Sequence, residues 1–266
     1  MKSATRLAAA VSLLLGVTAA KAADEDWQFR ASLYGYFPSI GGETNFPAGA
    51  GTGIDIAADD LIENAKLVGM ASFEAQRGRW GGFVDVIYMN IGDSVSDTTS
   101  LGAGNVPLPP GITADASLDV TAWVITTAAN YRAVATAQST FDVFAGARLL
   151  DAKGDLDWSF NVDLSPFGGP PQHGSAEASG DKVDAIVGLK GRYQFGADGR
   201  WFVPYYLDAG TGDSDLTWQA ALGIGYATRH GEVFAAYRHL DYDLGADGAI
   251  ANLEFDGPAI GLAFRW

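Results

Sequence analysis

Gly257-Pro-Ala-Ile-Gly-Leu-Ala-Phe-Arg-Trp266 ends the chain on a strict two-residue alternation. Ile260, Leu262, Phe264 and Trp266 occupy every second position, with Gly261, Ala263 and Arg265 between them. An extended strand of this kind has one wholly apolar face and one small or charged face. A soluble protein seldom exposes such a terminal Phe-x-Trp. A closed barrel in lipid can set it in the aromatic girdle at the membrane interface.

The spacing Gly261-x-x-Phe264-x-Trp266 resembles the C-terminal signal of Gram-negative outer-membrane barrel proteins. The pattern departs at Ala259, where a polar residue is usual. The resemblance implies that Gly261, Phe264 and Trp266 form an insertion signal read by the barrel-assembly machinery.

The other end of the sequence agrees. Met1, Lys2 and Arg6 make a basic start, Leu7 to Val17 an apolar run, and Ala20-Lys21-Ala22 a small-x-small site. Together these predict a secretory signal peptide over residues 1–22, leaving 23–266 as one barrel domain. The apolar run is too short to span a bilayer, and no longer one follows, so a membrane-embedded chain of this sequence must cross with strands. Removing Lys2, Arg6 and Lys21 takes the formal charge from −15 to −18. Such acidity excludes a nucleic-acid partner, because the attraction to phosphate would be reversed. The sequence has no cysteine, which rules out disulfides and thiolate metal sites.

Period-two alternation recurs along the chain and predicts an all-β, antiparallel transmembrane β-barrel of about ten strands, with eight or twelve as alternatives. The strands are read over Trp27 to Phe37, Leu67 to Gln76, Trp80 to Ile91, Ser117 to Tyr131, Phe141 to Asp151 with an extension to Phe160 as the alternative, Lys182 to Phe195, Trp201 to Ala209, Leu216 to Ala227, Val233 to Tyr242 and Leu253 to Trp266. Ser39 to Gly53, Gly92 to Ala114 and the segment around Pro166 to Pro171 read as irregular, being rich in Gly, Pro, Ser or Thr. Asp60 ahead of Glu63 predicts one capped helical turn. The connections alternate between tight and long, as periplasmic turns and extracellular loops do in bacterial barrels. Trp27, Trp80, Tyr131, Tyr193, Trp201, Tyr226 and Trp266 fall beside the termini or the tight turns, which predicts a periplasmic aromatic girdle.

If the apolar faces point to lipid, the opposite faces name a polar lumen network of Glu74, Asp85, Asp142, Arg148, Asp184, Lys190, Arg192, Asp208 and Arg238. Charges of both signs in a narrow barrel pair with one another, because a lone buried charge is expensive. Such a network is either a polar path for small solutes or a salt-bridged plug. A barrel this narrow favours the plug.

Of the three histidines, only His239, in Tyr237-Arg-His-Leu-Asp-Tyr242, lies near an acid, Asp241, in a way that suits lipid hydrolysis with a loop serine. Its parity sends it toward lipid or the outer rim. The acids of the outer segments, among them Asp55, Asp59, Asp213, Asp241, Glu254 and Asp256, match no EF-hand spacing and read as a solvated rim. No metal or cofactor is expected.

The whole resembles the proteobacterial OmpA- and OmpW-like barrel class, on the terminal signal, the Glu74-Ala-Gln-Arg-Gly-Arg-Trp80 hairpin and the Tyr237 to Tyr242 stretch. No peptidoglycan-binding domain follows the barrel. The resemblance implies the outer membrane of a Gram-negative bacterium, with its lipid and lipopolysaccharide as partners. The function expected is structural or that of a narrow passive pore. A lipid-modifying enzyme and a surface adhesin or receptor built on the long loops are the alternatives.

Overall fold

The computed structural model describes residues 26–44, 52–56, 65–97, 100–101, 106–107, 112–162, 172–245 and 250–266. The expected signal peptide and the expected capped turn at Asp60 to Glu63 lie outside them. The described strands are β1 (Gln28–Tyr36), β2 (Ser39–Thr44), β3 (Thr52–Ile56), β4 (Ala65–Arg77), β5 (Trp80–Asp97), β6 (Ser100–Leu101), β7 (Val106–Pro107), β8 (Ile112–Ala135), β9 (Ser139–Val162), β10 (Gln172–Phe195), β11 (Trp201–Gly212), β12 (Leu216–Ala227), β13 (Glu232–Asp243) and β14 (Ile250–Arg265).

Ten of these form a closed antiparallel barrel in the order β1, β4, β5, β8, β9, β10, β11, β12, β13, β14. The alternation that begins at Ile260 makes the seam. It lets β14 pair with β1 from Arg30↔Arg265 to Tyr36↔Ala259. Closure leaves no edge to hydrogen-bond with lipid, which is the condition for sheet to exist in hydrocarbon. At the end where β1 begins and β14 ends the strands join by tight turns, and Gly78, at φ +58°, supplies the left-handed residue that the Arg77-Gly78-Arg79 reversal requires. Among the described residues no helix is long and apolar enough to cross a membrane.

Two expectations are corrected. Ser39 to Gly53 is not a plain loop. β1 bends at Phe37-Pro38 and continues as β2, which pairs with the upper part of β14 and turns back as β3. Pro38 has no N–H to give a ladder, and the Phe37 N–H instead donates to the Pro258 carbonyl at 2.9 Å. The backbones approach so closely here that a Cβ on Gly257 would lie 2.7 Å from Pro38 Cα.

The second correction concerns Gly92 to Ala114 and the region around Pro166 to Pro171. Pro166 to Pro171 lies outside the described residues, but much of the described part of both regions is strand. β5 stays paired with β8 to Asp97↔Ala114, and β9 stays paired with β10 to Phe160↔Gln172. At 24 residues each, β8, β9 and β10 run to more than twice the ~9–11 that a bilayer crossing needs. The alternation continues with the ladder, as in Leu156, Trp158, Phe160 and Val162 against Asp155, Asp157, Ser159 and Asn161, so the extension is written in the sequence under a composition typical of loops.

Candidate functional site

The lumen is built by the inward-facing set of each strand, and it has three levels. At mid-height charged side chains meet across the barrel. Arg148 on β9 and Asp208 on β11 form a fully buried ion pair. Arg148 also donates to Thr217 Oγ1 at 3.1 Å and to Gln219 Oε1 at 3.3 Å, both on β12. Gln219 Oε1 accepts as well from Arg238 on β13 at 2.8 Å. Arg238 then reaches Asp85 on β5, nearly opposite in the ring, at 3.1 Å, and the Tyr34 hydroxyl at 2.9 Å. Tyr34 donates to Asp85 at 2.7 Å, and Tyr206 donates to Asp208 at 2.5 Å. This chain of charge-assisted bonds spans the lumen, and its partners satisfy groups that would be costly alone at that depth.

Above it, toward the long loops, the interior is apolar. Tyr36, Ile40, Met70, Ile87, Met89, Val124, Leu150, Leu240, Tyr242 and Phe255 form one buried cluster drawn from β1, β2, β4, β5, β8, β9, β13 and β14. Ile40 comes from β2, so the hairpin read as loop contributes to this filling. The expectation of a hydrophilic interior holds only for the lower half.

Below the polar level a cavity of about 620 Å³ opens between the turn at Thr136 to Gln138 and the chain end at Trp266. Its carboxylates are crowded by cations. Glu232 accepts from Arg192 at 2.8 Å, Arg265 at 2.9 Å and Arg30 at 3.3 Å. Glu74 accepts from Lys190 at 2.6 Å and from Arg30 at 3.2 Å. Asp142 holds Arg132 through two bonds, at 2.9 and 3.1 Å. Arg192 lies flat over the Phe202 ring at 3.8 Å, and Phe202 itself fits because Gly225 carries no side chain.

Of the named lumen residues, Asp184 stands apart: fully buried midway along β10, it accepts from the Ser214 N–H of the turn between β11 and β12 at 2.8 Å. The other eight line the polar level or the cavity. Glu232, Arg30, Arg132, Arg265, Gln219, Tyr34 and Tyr206 were not in the sequence-derived set. Extending the same alternation one or two residues past the assigned ends finds Glu232 and Arg132, and the inward faces of β1 and β14 contain Arg30, Tyr34 and Arg265.

His239 lies on the outer wall. Its Nδ1 is 3.2 Å from Asp256 and 3.5 Å from Glu254, its ring lies 4.4 Å from that of Trp218, and its Nε2 has no hydrogen-bond partner. Among the described residues no group of three or more His, Asp or Glu is placed to hold a metal ion.

The outer wall is apolar across the middle. Leu33, Val187, Leu222 and Ile260 are more than 60% exposed, a pattern that suits lipid and would be a liability in water. The girdle residues pair at the tight-turn end, Trp80 with Tyr131 and Trp201 with Tyr226, each at 5.1 Å between ring centroids. Trp27 and Trp266 flank Phe29 there, and Tyr193 is half exposed nearby.

No family model and no curated protein matches the chain. Among solved structures, the outer membrane protease OmpT from Escherichia coli superposes with a TM-score of 0.51 at 10% identity, over 94% of this chain and 100% of that one. Ail, the attachment invasion locus protein of Yersinia pestis, gives 0.32 at 9% identity over 91% and 99% of the two chains. The P. putida toluene transporter TodX gives 0.32 at 11% identity over 92% and 90%. At 10% identity the first likeness is one of fold, that of the outer-membrane β-barrel. The apolar wall and the closed ladder found here put the chain in that membrane.

Proposed function

We propose that this chain is a non-conducting integral barrel of the outer membrane, with a structural role in the envelope and a lumen sealed from mid-height to the outer face. The observation that carries the reading is the unbroken run Asp85, Arg238, Gln219, Arg148, Asp208 across the barrel, backed by the buried apolar cluster above it. A permeating ion would have to displace buried, paired charges and then cross a level lined mainly by apolar side chains. The narrow-pore alternative needs a continuous polar path, and the Met70, Ile87, Leu240 and Phe255 level argues against one. Catalysis forms no part of the proposal. The contacts described for His239 are with carboxylates and an indole on the outer wall, and no serine is among them.

Planar-bilayer recording on the purified, folded protein tests this. The expected result is an absence of stepwise conductance after insertion. Reproducible single-channel steps from the inserted barrel would refute it.

A further inference from the structure

The cavity below the seal is more than leftover space, because its charges do not balance. Arg30, Lys190, Arg192 and Arg265 form one contiguous group around only two carboxylates, Glu74 and Glu232. Arg132 and Asp142 neutralise each other beside them, and Arg238 with Asp85 does so above. Counted over side chains, the group therefore holds two more positive charges than negative ones, inside a protein whose whole chain carries −15. These cations are partly buried and close together, so their mutual repulsion favours a compensating anion.

The donors on these cations are not exhausted. Arg192 gives Nη1 to Glu232, while its Nε and Nη2 are buried with no hydrogen-bond partner. The Arg265 side chain, at the mouth, is 44% exposed and directs Nη2 at Glu232. Guanidinium groups in this state match the geometry of carboxylate and phosphate oxygens. The volume, about 620 Å³, is that of a small-molecule site.

We infer that the cavity is a binding site for a small oxyanion, of the phosphate or carboxylate class, entering from the tight-turn end between Trp266 and the Thr136 to Gln138 turn. The anion supplies the charge that Glu74 and Glu232 leave uncompensated and takes bonds from Arg192 and Arg265. The inference goes beyond the sealed-barrel reading and does not depend on it. Conductance tests one and binding tests the other, so either can fail while the other stands.

The test is calorimetric titration of the full chain at pH 7 and constant ionic strength, in non-ionic detergent, with inorganic phosphate and separately with succinate. Saturable one-to-one binding of at least one anion is expected. The double variant Arg192→Gln/Arg265→Gln removes the two excess charges and is expected to weaken binding about tenfold or more, as loss of charge-assisted bonds does. Glu232→Gln raises the excess and is expected to tighten it.

A parallel titration in lipid nanodiscs, with and without phosphatidylglycerol, separates the sources. Weaker apparent phosphate binding in the phosphatidylglycerol discs assigns the site to a lipid headgroup. Unchanged binding assigns it to a free anion, and both results support an oxyanion site. Absence of saturable binding by the wild type, or unchanged affinity in a folded double variant, overturns the inference. Should the double variant not fold, a Glu232→Gln protein that binds no more tightly overturns it equally.

Discussion

Arg148 and Asp208 are each completely buried, and for such a pair breaking and replacing have opposite consequences. Arg148→Met leaves Asp208 charged at mid-height with only the Tyr206 hydroxyl beside it. The expected cost is ~3–5 kcal/mol of unfolding free energy. Arg148→Met combined with Asp208→Leu removes both charges and is expected to recover most of that loss. Urea unfolding in micelles, followed by tryptophan fluorescence, checks both. A double variant as unstable as the single one would show that the pair contributes through more than its own compensation. Arg148 and Asp208 were legible from the sequence because each sits on the polar face of a clean alternation. Their partnership was not, since β9 and β11 are separated by β10 and no spacing along the chain encodes which inward residues meet across an axis.

The strands also show how far alternation alone reads their length. Within the hydrocarbon one face must be apolar, and the ends of β12 at Leu216 and Ala227 were readable to the residue. Outside it the period of two persists in β8, where Ile112, Ala114, Ala116, Leu118 and Val120 alternate with Thr113, Asp115, Ser117 and Asp119. It persists in β9 as well, where Leu156, Trp158, Phe160 and Val162 alternate with Asp155, Asp157, Ser159 and Asn161. These extensions were legible too, and it is their Gly-, Ser- and Asp-rich composition that makes them read as loop. A second belt of aromatics marks the change and was not found in the sequence. Tyr88 and Trp123 pair at 4.5 Å, and Trp218 lies against His239. Tyr88, Trp123 and Trp218 each lie eight residues from the girdle members Trp80, Tyr131 and Tyr226. Eight residues span roughly 27 Å along a strand, or roughly 20 Å of height at a tilt of about 40°, which is close to the apolar band of such barrels. Leu222, 62% exposed and midway between Tyr226 and Trp218, then sits at the bilayer centre. Leu222→Arg is expected to destabilise the folded barrel by ~2–4 kcal/mol. Leu216→Arg, two residues beyond Trp218, should cost only ~0–1 kcal/mol. Equilibrium refolding into phosphatidylcholine vesicles measures both, and equal costs at the two positions would remove the second belt from the interface.

Taken as one body, the molecule is a cup in the membrane: cationic and open toward the chain termini, crossed by ion pairs at the middle, apolar inside above that. The sequence anticipated a barrel with a charged axis because it treated every inward position as polar. In the upper half the inward residues Met70, Ile87, Leu240 and Phe255 are as apolar as the outward ones, so the contrast that distinguishes wall from lumen is lost there. Two levels of filling in series mean that neither alone controls the opening. Arg238→Ala/Asp85→Ala takes away one cross-lumen link and leaves the apolar level intact, so this variant is expected to stay electrically silent. Leu240→Ala/Phe255→Ala thins the apolar level above a complete ion-pair network and is expected to stay silent too. Only the fourfold combination should pass ions, as steps in planar-bilayer current from protein whose heat-modifiable migration shows that the barrel has formed. Steps from Arg238→Ala/Asp85→Ala alone would mean that the apolar level does not close the lumen, and the seal would then rest on the charged level by itself.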